Sequence, residues 1–161
     1  MTLDARKAVS RHHIHLWDDK PTRAPAELFT PEYVNHQESD VQGVGARNLG
    51  EFEELVSAYH AAYSNSKDTV TMQLAEGDKV VTKWEITATN SGAYMDLAEA
   101  THQPMTWSGV LIDRFEGDKI AESWVVWDEY RFFRGLGLLC ACASGIGARR
   151  AGSYVAPVDG F

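Results

Sequence analysis

The stretch Trp107–Tyr130, WSGVLIDRFEGDKIAESWVVWDEY, reads as two β-strands joined by a tight turn. Val110, Leu111, Ile112 and Phe115 are β-formers ahead of the turn, with Gly109 the one weak spot among them. Glu116-Gly117-Asp118-Lys119 then supplies the Gly and Asp that tolerate hairpin dihedrals. From Ile120 to Trp127 the chain returns to Trp and Val, and the strand ends on a carboxylate, Asp128. Alternation puts Ile120, Glu122, Trp124, Val126 and Asp128 on one face, and Ala121, Ser123, Val125 and Trp127 on the other. If the first of these faces is buried, Asp128 is poorly solvated. Burial raises a carboxyl pKa and lets the group hold and release a proton near neutrality. The plainer alternative is an exposed Asp128 that caps the segment after the strand.

Working outward, Gly109, Arg114-Phe115, Asp118-Lys119-Ile120, Glu122, Trp124, Asp128 and Leu136-Gly137 together resemble the end of the SnoaL-like polyketide cyclase family. The phrase LFTPEYVNHQ, ending near His36, resembles a second signature of that family. The resemblance implies the nuclear transport factor 2-like fold, a cone-shaped α+β barrel whose curved mixed or antiparallel sheet wraps around N-terminal helices. It also implies an acid/base at the Asp after the tryptophan, here Asp128, with His36 as a hydrogen-bond partner at the wall of the site. Around Asn90–Gln103 the chain departs from the family pattern, with Ala88-Thr89-Asn90 and Thr101-His102 where Gly-Thr-His and Thr-Gly are common. Substrate identity therefore does not carry over.

At 161 residues and 17.9 kDa the chain is large enough for one core. We expect a single domain over residues 1–139 and a tail or arm over 140–161. A net charge of −8 argues against a nucleic-acid surface. Cys140 and Cys142, one residue apart, suit neither a disulfide framework nor a C-x-x-C motif, so free thiols and a cytoplasmic setting are expected. No signal peptide is read at the N-terminus, and the weakly polar run Gly135–Ala148 is too short and glycine-rich to span a bilayer.

The remaining elements follow from periodicity. Helices are expected over Leu3–Asp18, Ala26–Phe29 after Pro25, Leu49–Tyr63, and from Arg131 to Leu139. A loop runs from Glu38 to Gly50, and another from Asn90 to Gln103 with Tyr94, Met95 and Leu97 as lid residues. Val70, Met72 and Leu74 are expected on a buried strand face, and Val80, Thr82, Trp84, Ile86 and Ala88 on another. Glu76-Gly77-Asp78-Lys79 repeats the later turn. His12 and His15 lie one helical turn apart, but no carboxylate-completed ligand pattern accompanies them, so no metal is assigned. One of His12 and His13 faces the core or pocket, and His13 is taken as the substrate-facing one.

The resemblance implies first a cofactor-free cyclase or isomerase acting on a hydrophobic polyketide-like or polycyclic carbonyl compound, with ring closure of the intramolecular aldol type. Asp128 and His36 carry the chemistry there, with His13, Tyr59, Tyr63, Trp84, Trp107 and Trp124 lining the site. An epoxide-hydrolase-type water addition needs an Asp-Arg-Asp set, and Asp113 and Arg114, adjacent on a strand, diverge. A non-catalytic binding or assembly module is the third reading. Large apolar groups on both faces of the last strand predict a homodimer through the sheet.

Overall fold

The computed structural model describes residues 1–37, 45–94 and 99–139. Most of the expected Glu38–Gly50 loop, the lid residues Met95 and Leu97, and the tail with Cys140 and Cys142 lie outside the described residues.

Helix α1 spans Leu3–Ile14, started by Thr2, whose hydroxyl accepts from Ala5 N at 3.2 Å. A short 3-10 turn, His15–Trp17, continues it. Pro25 opens α2, Pro25–Leu28, where its missing N–H costs nothing. Strand β1 follows at Phe29–Gln37, and β2, Ala46–Asn48, occupies part of the expected loop. Asn48 and Glu51 form a reciprocal capping box at the start of α3, Leu49–Ala62. Four strands complete the sheet: β3 Tyr63–Glu76, β4 Lys79–Asn90, β5 Pro104–Glu116 and β6 Lys119–Trp127. Gly77 and Gly117 take φ of +56° and +62° in the two repeated turns, as their Gly-Asp sequence requires. Helix α4, Glu129–Gly135, ends the described chain and starts earlier than periodicity suggested.

The six strands form one curved sheet in the order β2-β1-β6-β5-β4-β3, which does not close. β1 and β6 run parallel and every other pair is antiparallel. Helix α1 lies against β3 and β4, and α3 against β1 and β3. The inner face carries Trp107, Leu111, Asp113 and Phe115 of β5, matched to Ile86, Thr82 and Val80 of β4.

Two irregularities correct the expected faces. In β6 the register shifts by one between Arg114 and Phe115, so Ala121 is extra. Ile120 therefore turns inward, while Glu122, Trp124 and Val126 point outward and Ser123, Val125 and Trp127 inward. The face of β6 that carries Trp124 is not the core face. In β3 a shift after Val70 turns Met72 and Leu74 outward, where they are 50% and 60% exposed, and brings Gln73 inward. An unbroken alternation predicted the reverse.

The core has two apolar clusters. One gathers Tyr59, Tyr63, Trp84, Trp107 and Phe132, and the other Phe29, Tyr33, Phe52, Phe115 and Ile120. Gly109 sits where β5 passes beneath Trp84. A Cβ there would lie 2.4 Å from the Trp84 ring, 2.7 Å from the Val126 carbonyl oxygen and 2.9 Å from the Trp127 Cβ. The residue that weakens the strand by propensity is thus required by packing. Gly109→Ala should destabilise the fold by about 1–3 kcal/mol through overpacking, read as a lower urea midpoint at unchanged slope; an unchanged midpoint would contradict this packing.

Candidate functional site

Two runs of hydrogen bonds, brought together at Tyr33 and Ser123, cross the inner face from β1 to α1. Gln37 Nε2 donates to Asn35 Oδ1 at 2.7 Å, and Asn35 Nδ2 donates to the Tyr33 hydroxyl at 2.9 Å. The Ser123 hydroxyl, close to that of Tyr33, donates to Asp113 Oδ1 at 2.6 Å. His13 Nδ1 reaches the same oxygen at 2.9 Å. Asn35, Ser123 and Asp113 are fully buried and His13 nearly so. Parity builds this group: Asn35, Ser123 and Asp113 lie side by side in register across β1, β6 and β5. Arg47 of β2, opposite Asn35, is also buried on this face. Burial, and then the Asp113 charge, hold the Tyr33 hydroxyl above the ordinary phenol range, so it remains a donor.

The other end of the inner face is aromatic. Tyr59 stacks on Tyr63 at 4.8 Å, and Tyr63 also meets Tyr94, Trp107 and Phe132. The Tyr59 hydroxyl is committed to Ser66 Oγ at 2.6 Å, which itself donates to the Trp17 carbonyl. Tyr63 Oη, Trp84 Nε1 and Asp113 Oδ2 are instead buried without a hydrogen-bond partner among the described residues. An orphaned buried polar group costs about 1–3 kcal/mol, so each calls for a partner that the described residues do not provide. Burial, followed by the neighbouring Tyr94 and Tyr59, keeps the Tyr63 hydroxyl protonated.

Of the residues singled out in sequence, His13, Tyr59, Tyr63, Trp84 and Trp107 come to the inner face, while Trp124 and His36 go to the outer one. There His36 stacks on Trp124 at 5.3 Å and bonds Glu122 Oε1 at 2.9 Å, and Glu122 also accepts from Arg114 Nε at 2.9 Å. Arg114, and then His36, hold the Glu122 carboxyl below its usual range. His36 and Trp124 therefore do not meet the aromatic cluster. Asp128 stands at the exit of β6. Its carboxylate accepts from Arg131 N at 3.0 Å, caps α4, and lies 3.4 Å from Arg131 Nε with its side chain 37% exposed. Asp113 and Arg114 diverge to opposite faces, as adjacent strand residues must.

Sequence reading weighed Asp113 only beside Arg114 and did not place it in the site. The available signal was a charged residue in alternation with Trp107, Leu111 and Phe115. It also missed a second group, at the end of α1. His15 Nδ1 lies 2.7 Å from Asp68 Oδ1 and 3.8 Å from Asp18 Oδ2. Burial pushes the Asp68 carboxyl up to about 6, against the opposing pull of His15. No sequence spacing announces this cluster, because Asp68 stands on β3, 53 residues beyond His15.

Comparison with known proteins agrees with this architecture. The model of the SnoaL-like polyketide cyclase family matches residues 7–136. The crystal structure of AclR, a candidate hydroxylase from Streptomyces galilaeus, superposes with a TM-score of 0.74 at 23% identity, covering 86% of this chain and 84% of that one. TsrD from Streptomyces laurentii gives 0.73 at 16% identity, covering 86% of this chain and 99% of that one. IdmH, a candidate polyketide cyclase from Streptomyces antibioticus, gives 0.69 at 19% identity, covering 82% and 98%. No curated protein matches the sequence significantly. At these identities the structures speak for the fold alone, whereas the family model spans most of the chain. That match over residues 7–136, with which the open curved sheet agrees, places this protein in the SnoaL-like polyketide cyclase family.

Proposed function

We propose that the protein is a cofactor-independent cyclase or isomerase acting on a polyketide-like or polycyclic carbonyl compound. In this reading Asp113 exchanges the proton and His13 is its hydrogen-bonded partner. The observation that carries it is the trio of unpartnered buried atoms on the inner face: Asp113 Oδ2, Tyr63 Oη and Trp84 Nε1. One is an acceptor and two are donors, which is what a carbonyl substrate with an acidified C–H demands. Asp113 pairs with Val80 and Gly109 with Trp84, so base and indole sit four residues apart along β4, about 13 Å at the usual strand rise.

Asp113 would take a proton from a carbon flanked by carbonyls. The resulting enolate carbon would add to a second carbonyl of the same molecule, and the alkoxide would recover the proton. For an isomerase the proton would return to a different carbon. Tyr63 and Trp84 would donate hydrogen bonds to oxygens on which charge develops or which anchor the far ring, in a setting of low polarity where such bonds are strong. His13 and Ser123, both on Oδ1, would leave Oδ2 as the basic atom and hold it in place. A second reading keeps proton transfer on Asp128. It is favoured by the family position of that residue and by its half-exposed place beside Trp127 and Phe132.

The two readings separate by substitution. With turnover followed on a panel of poly-β-ketone and polycyclic keto-ester substrates, Asp113→Asn should lower kcat by a hundredfold to ten-thousandfold, on the order of a lost general base. Asp128→Asn should stay within about threefold, since it loses no general base in this reading. The opposite outcome would move the chemistry to Asp128. Absence of turnover across the panel, with tight binding of a polycyclic ligand, would favour the non-catalytic module.

The outer face supports a homodimer. Leu74, Val81, Ile112, Trp124 and His36 stand in register across five strands, and beside them Met72, Val110 and Val126 are exposed in a parallel row that Lys83 of β4 interrupts. A contiguous apolar stripe of this kind on a sheet calls for a cover, and a second copy supplies it symmetrically. Val126→Glu, at a site 53% exposed and hence tolerant in the monomer, should halve the mass measured by light scattering. A wild-type chain that is already monomeric at micromolar concentration would remove the dimer.

A further inference from the structure

His15, Asp18 and Asp68 gather where the 3-10 turn meets β3. Each offers one ligand atom, and these atoms lie within 4.8 Å of one another. We propose that this cluster is a binding site for a divalent transition-metal ion of the zinc type, held by His15 Nδ1 and the carboxylates of Asp18 and Asp68.

Two independent observations point to a ligand there. The first is distance. His15 Nδ1 stands 2.7 Å and 3.8 Å from the two carboxylates. Zinc bonds of about 2.0–2.2 Å in tetrahedral array separate their ligand atoms by roughly 3.3–3.5 Å, within the bracket the two observed distances set. The second is an orphaned oxygen. The Asp68 side chain is wholly shielded from solvent, yet its Oδ2 meets no N–H or hydroxyl donor among the described residues, and the group interacting with it from the turn is the like-charged carboxyl of Asp18. A buried carboxylate left half-satisfied is costly unless a cation or donor completes it.

The backbone holds the cluster in place before any ion arrives. Asp18 Oδ1 accepts from Asp68 N at 2.7 Å, Asp19 Oδ1 accepts from Ser66 N at 2.7 Å, and Asp19 N donates to Ser66 O at 3.2 Å, so these bonds pin the turn to the strand. His15 and Asp18 are 37% and 31% exposed, which leaves a solvent route to a site whose third member is buried. Imidazole with two carboxylates suits zinc, iron, manganese or cobalt better than calcium or magnesium, and leaves coordination positions open. His12, its ring 6.0 Å from that of His15, is bonded to Thr22 and stands outside the set.

The test uses the full chain with Cys140→Ser and Cys142→Ser in place, so that thiols cannot account for binding. Titration with zinc chloride alone, after chelator treatment and dialysis, should give one ion per chain. His15→Gln and Asp68→Asn should each weaken binding by at least about tenfold, the loss seen even for second-sphere changes. His102→Gln, an exposed histidine elsewhere, should leave it unchanged. Circular dichroism checks each fold, and if Asp68→Asn does not fold, His15→Gln and Asp18→Asn decide the matter. Binding well below one ion per chain, or folded variants that bind as wild type does, would overturn the site.

Discussion

Strand parity governs this molecule. Side chains alternate across a strand, so one extra residue sends all that follows to the opposite face. The bulge at Ala121 sets the parity of β6, and with it the neighbourhood of Asp113: Ser123 faces inward beside it, while Glu122 faces outward to Arg114. Were Ala121 instead paired in a regular ladder opposite Arg114, Glu122 would stand opposite Asp113 in the core and Ser123 would face outward. A comparable shift in β3 exposes Met72 and Leu74 and delivers Gln73 to Lys7 O and Thr82 Oγ1. The inner polar group and the outer apolar stripe are two consequences of the same two bulges.

A fully buried carboxylate is tolerable only with donors at hand, since an uncompensated buried charge costs several kcal/mol. Asp113 has His13 and Ser123 on one oxygen and no partner on the other among the described residues. Upstream, every donor from Gln37 through Asn35 points toward it, so the network is polarised in one direction. Such a group is both a structural tie between α1 and the sheet and a poised acceptor. Asp68 repeats the arrangement on a smaller scale, with His15 on one oxygen and the other unpartnered.

Much of the architecture was legible in the chain. Local chemistry announced α1, α3, the Gly-Asp turns and the alternation of β4, because caps, turn residues and short-range periodicity act over a few residues. The resemblance at residues 109–137 and the phrase around His36 pointed to the family that the model of residues 7–136 bears out. The site was harder to read. Trp124 and Asp128 were judged by unbroken alternation in β6, and a bulge leaves no mark in a run of β-formers. Asp113 was read only for its divergence from Arg114, although its alternation with Trp107 and Leu111 pointed it inward.

The sequence by itself determined the long helices, the later strands and their turns, and the family, since these rest on residues near one another in the chain, whereas β1 and β2 were not read as strands. Tertiary structure decided which face is inside, which carboxylate is buried, and that His13 meets Asp113 across 100 residues while His15 meets Asp68 across 53. Those contacts are set by register between strands and by where α1 lies on the sheet. No local pattern records either, because the energy that selects them comes from burying whole faces at once.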